Sequence, residues 1–217
     1  SRGLVRALGA TLGASLLPAQ PAAAKPTIAD FVRHPTYSTV KISPTGEYLA
    51  MTVERGGQDV LVVLRTEDLK PLKVNQLPDE KSVGAFYWSS PERLIFTSIR
   101  KLGRYAAPFG TGEWYGVNAD GSMPRPLVFY GTRDVTQRGK SIGNRRFSLL
   151  HTLDDDDQNV LMQVTKPRSS DGVGTEVVLF DTTAGRWRTL AAAPRENCSI
   201  ALGLGNEPRF ALCQDDE

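Results

Sequence analysis

After Thr39, apolar and polar residues alternate with a period of two along most of the chain, which is typical of half-buried β-strands. The clearest case is a strand that ends at Ile42, a Ser-Pro-x-Gly sequence at 43–46, and an alternating strand that begins at Tyr48. Proline and glycine in such a turn end one strand and reverse the chain before the next. The pattern therefore predicts an antiparallel hairpin.

Similar strands recur in groups of four. The first group is predicted at 40–42, 48–53, 60–64 and 72–74, the second at 85–88, 94–99, 114–117 and 127–130, and the third at 148–153, 160–164, 176–181 and 186–190. A fourth group begins at Ser199 and has only its first part before Glu217. Equivalent positions in the second strands are 46, 66 and 49 residues apart, at Leu49, Ile95, Leu161 and Phe210. Two of these intervals match common blade repeats.

The repeated four-stranded antiparallel units predict an all-β fold, an incomplete β-propeller over residues 39–217. Closed propellers have about four to eight blades, and about three and a half are present here. A partial ring is expected to expose the apolar face of a blade and an unpaired strand edge. We therefore expect the isolated chain to be poorly soluble.

Residues 1–24 differ from the remainder of the chain. Arginines precede a small apolar stretch at 7–17, and an alanine run at 22–24 ends the segment, which is the pattern of a secretory signal peptide. The apolar stretch is too short to cross a bilayer, so we expect no membrane span after cleavage and a periplasmic or secreted protein. At 25–38, a Thr-x-x-Asp sequence has the spacing of a capping box and predicts a short helix.

The charge balance argues against a nucleic-acid partner. The whole chain has a net charge of +2, and removal of the predicted signal peptide, with its two arginines and no acidic residue, brings this to zero. Nucleic-acid binding depends on many contacts from Lys and Arg to phosphate. A local basic run is interpreted either as a solvated loop or as an anion-binding patch, and it contains Arg133, Arg138, Lys140, Arg145 and Arg146.

Residues 139–143 read Gly-Lys-Ser-Ile-Gly and satisfy G-x-S-x-G, the nucleophile elbow of α/β-hydrolases. That motif needs a buried strand before the serine and an apolar helix after it, whereas polar residues flank Ser141 on both sides. Only His34 and His151 could act as its general base. One lies beside a proline and the other falls in a predicted strand, so we interpret both as structural and predict no catalytic residue.

Two further sequences could suggest a ligand. The run Asp154-Asp155-Asp156-Asp157 could bind Ca²⁺, but it lacks the alternating spacing of a calcium loop and is interpreted as a solvated turn or, alternatively, a metal site. Glycines at 110, 112 and 116 do not open a helix, so they fail as a dinucleotide fingerprint and are assigned to a loop. The sequence therefore predicts neither a cofactor nor a metal.

Cys198 and Cys213 are the only cysteines, and export would place them in an oxidising compartment. If Gly205 and Asn206 form a two-residue hairpin turn, the cysteines face each other across the hairpin, within range of a disulfide. A longer turn would break this register. A disulfide and two buried free thiols both remain open at this point.

The segments 28–31 and 42–50 resemble the opening of exported bacterial peptidases of the prolyl oligopeptidase family, the acylaminoacyl-peptidase and dipeptidyl-peptidase-like members. The segments 149–156 and 159–161 resemble a later hairpin of the same propeller. The likeness covers most of residues 27–213. The Ser-Pro-x-Gly hairpin is shared with other propellers, such as the TolB-like ones.

The resemblance implies a propeller that covers a C-terminal α/β-hydrolase domain with a Ser, Asp and His triad and restricts access to short peptides. This chain has no match to the family's nucleophile motif, oxyanion donors or catalytic histidine, so no catalytic residue is carried over. The expected role is the non-catalytic, access-restricting propeller of an exported serine peptidase, whose peptide substrate would reach a downstream domain absent from this chain. The alternative is a non-enzymatic periplasmic TolB-like propeller that serves as a protein-binding scaffold.

Overall fold

The computed structural model describes residues 37–102, 107–130, 136–137, 140–167 and 172–214. The predicted signal peptide and nearly all of the predicted short helix lie outside these described residues. Within them, all regular structure is β-strand and no helix is present.

Three four-stranded antiparallel sheets follow one another along the described chain, and each has its strands in sequential order. Blade 1 contains β1 (Tyr37–Ile42), β2 (Tyr48–Arg55), β3 (Gln58–Arg65) and β4 (Pro71–Asn75). Blade 2 contains β5 (Ser82–Ser90), β6 (Arg93–Arg100), β7 (Phe109–Asn118) and β8 (Arg125–Val128). Blade 3 contains β11 (Arg146–Thr152), β12 (Asn159–Pro167), β13 (Val173–Asp181) and β14 (Trp187–Ala192).

Two shorter hairpins complete the described sheets. The strands β9 (Thr136–Gln137) and β10 (Lys140–Ser141) pair between blades 2 and 3, in a region that the sequence pattern left as a loop. The strands β15 (Cys198–Leu202) and β16 (Pro208–Cys213) begin the fourth unit as predicted. Successive four-stranded meanders of this kind are the arrangement of an incomplete β-propeller.

The first hairpin illustrates why the sequence folds this way. The Gly46 amide donates to the Ser43 carbonyl at 2.9 Å, and the Ser43 amide donates to the Tyr48 carbonyl at 2.8 Å. The Ser43 hydroxyl also accepts a hydrogen bond from the Tyr48 amide at 3.1 Å. Gly46 has φ of 79°, a left-handed conformation that glycine adopts without steric cost. The Ser-Pro-x-Gly turn therefore fixes the register of β1 against β2.

The core lies between the blades, because alternate side chains of each sheet pack against its two neighbours. Strand β6 shows this most clearly, since Leu94 and Phe96 pack toward blade 1 while Ile95 packs toward blade 3. This strand is accordingly a continuous buried run instead of an alternating one. A third apolar cluster joins blade 3 to the last hairpin through Leu161 and Ile200.

Hydrogen bonds reinforce these contacts between blades. The Lys41 ammonium in β1 donates to the Phe86 carbonyl in β5 at 2.7 Å and lies 4.1 Å from the centre of the Tyr87 ring. The Trp88 indole donates in return to the Lys41 carbonyl at 3.3 Å. The Trp114 indole donates to the Phe147 carbonyl at 3.0 Å and so connects blade 2 to blade 3. The blades are thus held by directed bonds as well as by apolar burial.

Large apolar side chains are exposed on the first and last described sheets. In β1, Val40 and Ile42 are 53% and 58% exposed, and in β16, Phe210 and Leu212 are 64% and 65% exposed. Within each strand the two residues lie two positions apart and so share one face of the sheet. These exposed apolar side chains are the reason to expect low solubility of the isolated chain, which stays a prediction.

One loop assignment was wrong. The glycines at 110, 112 and 116 lie in the long strand β7, where Gly110 pairs with Ile99 and Gly116 pairs with Ile95. Gly116 also falls inside the strand predicted at 114–117, and close packing favours glycine there, because an added Cβ would lie 2.6 Å from the Arg93 Nη2 atom. These residues form no phosphate-binding loop.

Candidate functional site

The G-x-S-x-G sequence does not form a nucleophile elbow. Ser141 belongs to the short strand β10, where it pairs with Thr136. A turn follows, with the Arg145 amide donating to the Ile142 carbonyl at 3.2 Å, and β11 then begins at Arg146. An elbow needs a strand that enters a helix directly after the serine. The described residues therefore place Ser141 in a hairpin.

The two candidate bases are not brought to this serine. His34 lies outside the described residues. His151 is exposed in β11, where it pairs with Leu161, and its Nδ1 atom contacts the neighbouring Thr152 carbonyl. This contact is local to the strand, so the described residues show no pairing of a serine with a histidine.

The aspartate run forms the turn between β11 and β12. The Asp156 carboxylate accepts hydrogen bonds from the Gln158 and Asn159 amides, both at 3.0 Å, and from the Asn159 side chain at 2.8 Å. Burial raises the pKa of Asp156, but these hydrogen bonds outweigh it and hold the pKa below its usual value. Among the described residues, no group of three or more His, Cys, Asp or Glu side chains is arranged to hold a metal ion.

The basic run is only partly described. Arg133 and Arg138 lie outside the described residues, whereas Lys140 is in β10 and Arg146 begins β11. The Arg145 guanidinium donates to the Ile142 carbonyl at 3.2 Å and stabilises the turn before blade 3. Neither interpretation of the run, solvated loop or anion-binding patch, is tested by these positions.

Cys198 and Cys213 face each other in the last hairpin, and their sulfur atoms are bonded in the structure. The turn is longer than the two residues expected, because the Gly203 amide donates to the Glu207 carbonyl at 2.8 Å. An irregularity between Ala201 and Leu202 restores the predicted register beyond the turn. The oxidised state of the two cysteines in solution remains a prediction.

Sequence reasoning missed a buried arginine that joins blade 2 to blade 3. The Arg93 Nε and Nη2 atoms donate to the Thr182 carbonyl at 2.9 and 2.6 Å, and its Nη1 atom donates to the Asn118 side chain at 2.7 Å. Arg93 is 4% exposed and Thr182 is fully buried. We call this set of contacts the Arg93 clamp. Its only sequence signal is a charged residue at the start of the buried run of β6.

The turn that receives the clamp is itself ordered by Asp181. Its carboxylate accepts hydrogen bonds from the Thr183 and Ala184 amides, both at 2.8 Å, and from the Thr183 hydroxyl at 2.6 Å. Burial raises the pKa of Asp181, yet these bonds outweigh burial and leave the pKa below its usual value. The Thr182 carbonyl is thereby fixed where Arg93 reaches it.

A second buried polar cluster lies within blade 2 and the connection that precedes it. The Lys81 ammonium lies 3.0 Å from the Glu113 carboxylate, and the two side chains are 6% and 7% exposed. Glu113 also accepts hydrogen bonds from Ser98 at 2.9 Å and Tyr115 at 3.1 Å. Burial, followed by the charge of Glu113, raises the pKa of the Tyr115 hydroxyl. The tyrosine therefore stays protonated and donates to Glu113.

A cleft of 470 Å³ opens between blades 1 and 2, on the side of their outer strands. Its floor includes Phe96 and Tyr115, whose rings stack with centroids 5.6 Å apart. Strands β4, β7 and β8 and their connections supply the walls. The volume is in the range of small-molecule sites. Because strands of two different blades form it, no local pattern predicted it.

The described residues contain no helix that is long and apolar enough to cross a membrane.

No protein-family model matches the chain, and no curated protein matches it. Among solved structures, it is similar to a protein described as a conserved lipoprotein of Clostridium novyi NT, at 14% identity and a TM-score of 0.45, over 69% of this chain and 89% of that one. It is also similar to a protein described as TolB from Agrobacterium tumefaciens, at 14% identity and a TM-score of 0.40, over 71% of this chain and 49% of that one.

A puromycin-hydrolysing peptidase of Mycobacterium tuberculosis is also similar, at 16% identity and a TM-score of 0.34, over 79% of this chain and 33% of that one. The match thus spans about half of the Agrobacterium protein and a third of the peptidase. At these identities and TM-scores, no activity is carried over from any of the three proteins.

Proposed function

We propose that this chain is the non-catalytic, access-restricting propeller portion of an exported serine peptidase. Hydrolysis of short peptides would be carried out by an α/β-hydrolase domain that follows in the complete protein. The propeller would act by geometry, because walls around an active site admit extended short peptides and exclude folded proteins while keeping bulk water out.

The observation that supports a non-catalytic role most strongly is the position of the candidate residues in the fold. Ser141 lies in a hairpin strand. The buried charged side chains bond to other groups of the fold: Arg93 forms the clamp, and Lys81 pairs with Glu113. A catalytic serine needs a base within hydrogen-bond reach and a set of donors for the oxyanion. No such arrangement is found in the described part of the chain.

Two features of the sequence support the peptidase assignment. The resemblance to prolyl oligopeptidase relatives covers most of residues 27–213, including the Ser-Pro-x-Gly hairpin whose bonds are seen at Ser43 and Gly46. The signal-peptide pattern at 1–24 supports export to the periplasm or the medium. The competing scaffold function would use the same blades without any hydrolase domain.

The test compares the product of the complete reading frame with this 217-residue chain. Both are incubated with fluorogenic peptides of graded length and with a folded protein that contains the same peptide sequences. We expect the complete product to cleave short peptides only, the 217-residue chain to be inactive, and Ser141→Ala in the complete product to retain full activity. A reading frame that ends in further blades, with no peptidase activity, would favour the TolB-like scaffold. Activity of the short chain that Ser141→Ala abolishes would overturn both.

A further inference from the structure

We propose that the cleft between blades 1 and 2 is a binding site for an apolar carboxylate, a class that includes small arylalkanoates and the C-terminus of a short apolar peptide. This inference does not depend on the proposed function. Three properties of the cleft support it: its apolar surface, its unpaired cations and one buried amide.

The shape and surface of the cleft suit an apolar group. Its volume is 470 Å³, and the stacked rings of Phe96 and Tyr115 lie beneath it. Apolar side chains and prolines supply further lining: Val74, Leu77, Pro78, Pro124 and Pro126. An aromatic or aliphatic ligand that enters such a concave site removes apolar surface from water on both partners.

The charges at the cleft favour an anion. Lys73 and Arg125 line it, both are exposed, and neither forms an ion pair within the described residues. The nearby carboxylates of Glu113 and Asp79 lie 3.0 and 3.9 Å from the Lys81 ammonium, which offsets one of their two charges and leaves one negative charge against the two positive charges of Lys73 and Arg125. The cleft therefore retains uncompensated positive charge, which a carboxylate complements.

Lys73 is also positioned by packing. Its side-chain carbons lie so close to Gly121 that an added Cβ there would be 2.5 Å from the Lys73 Cδ atom. Gly121 belongs to the turn between β7 and β8 and has φ of 84°. The lysine from blade 1 thus crosses to the turn of blade 2, and this contact reduces the conformational entropy that the side chain would lose on binding an anion.

Asn75 provides a donor. This residue lines the cleft, and its Nδ2 atom is buried with no hydrogen-bond partner among the described residues. A buried amide without a partner is costly, and rotation of the Asn75 side chain toward a carboxylate in the cleft would satisfy it. Its neighbour Gln76 is already engaged, since it donates to Gln58 at 2.5 Å.

The experiment titrates ligand into a dilute solution of the 217-residue chain and follows binding by saturation-transfer NMR of the ligand. The probes are 4-phenylbutyrate and acetyl-prolyl-phenylalanine, each with its uncharged amide as the matched ligand. We expect both carboxylates to bind saturably and more tightly than their amides. Binding of phenylbutyrate alone identifies a small-molecule site, and tighter binding of the dipeptide identifies peptide C-termini as the natural class.

Two double variants test whether the ligand binds in the cleft. The double variant Lys73→Gln/Arg125→Gln should weaken carboxylate binding about tenfold, the combined effect of two partly solvated ion pairs, and leave amide binding unchanged. The control Arg100→Gln/Arg188→Gln removes the same charge from exposed positions outside the cleft and should leave both unchanged. Equal affinity for carboxylate and amide, equal losses in the two double variants, or no saturable binding of any probe would overturn the proposal.

Discussion

Replacing Arg93 by methionine tests how blades 2 and 3 are held together. Methionine keeps an unbranched apolar stem in place and removes the guanidinium, so the Thr182 carbonyl and the Asn118 side-chain oxygen lose their donors. The clamp spans 89 residues of sequence, from the start of β6 to the turn after β13. The substitution therefore probes a contact between blades and changes no strand pairing.

The expected loss follows from the buried groups left without a partner. The Thr182 carbonyl is fully buried and loses two charge-assisted hydrogen bonds, whereas Asn118 is partly exposed and can turn to water. An unsatisfied buried polar group costs about 1–3 kcal/mol, and removing one member of a buried charged network costs about 3–5 kcal/mol. Relief of the arginine's own desolvation offsets part of this. We expect Arg93→Met to lower the free energy of unfolding by about 2–4 kcal/mol.

Urea-induced unfolding in dilute solution, followed by tryptophan fluorescence, measures this loss. The matched control is Arg100→Met, because Arg100 is exposed on the same strand and should change stability by less than about 0.5 kcal/mol. Gly116→Ala places a methyl group 2.6 Å from the Arg93 Nη2 atom and should also destabilise. In the Arg93→Met background the same alanine should cost less, because its main obstacle is gone.

A loss below about 1 kcal/mol for Arg93→Met, or one equal to that of Arg100→Met, would refute the clamp as an energetic link between the blades. Additive effects of Arg93→Met and Gly116→Ala would refute the steric reason given for the glycine.

Three further outcomes are expected. Thiol labelling of the denatured exported protein should rise after reduction, because Cys198 and Cys213 are bridged; unchanged labelling would exclude the disulfide. Burial raises the pKa of Asp181, but the hydrogen bonds of its turn outweigh burial, so the folded pKa lies below the unfolded value of about 3.9. The ionised carboxylate therefore stabilises the fold fully above the unfolded pKa, and this stabilisation is lost as pH falls through the folded pKa. Asp181→Asn should thus lose less stability than the parent when acidified in urea titrations, and equal acid sensitivity would contradict this. Lys81→Met should lower the free energy of unfolding by about 3–5 kcal/mol, because it leaves the buried Glu113 charge unpaired. The double variant Lys81→Met/Glu113→Leu should recover part of that loss. A double variant less stable than the single one would argue against a stabilising pair.

The part of the fold that could be predicted is the part that depends on local sequence signals. The strands of all three complete blades were predicted within a few residues, because turn sequences such as Ser43 to Gly46 stop each strand and the period of two sets its faces. Strands β9 and β10 were missed because they are two residues each and polar. The segment containing Gly110 was assigned to a loop because glycines are typical of turns, although Gly110 pairs with Ile99 inside the long strand β7.

The candidate site was less predictable than the fold. The Arg93 clamp joins positions 89 residues apart, and the cleft combines side chains from β4, β7 and β8. Such contacts depend on how one blade stacks on the next, and the angle and offset of that stacking leave no periodic trace in the sequence. The residues around Ser141 lack the strand and helix that a nucleophile elbow requires, and the structure places this residue in a short hairpin strand.

Labelling of the complete gene product with a fluorophosphonate probe, followed by mass spectrometry of the modified peptide, tests the central claim most directly. The probe reacts only with a serine activated by a base and oxyanion donors. Our account predicts a single labelled serine that lies after Glu217, with residues 1–217 unlabelled. A label on Ser141, or on any other serine of these blades, would contradict a non-catalytic propeller.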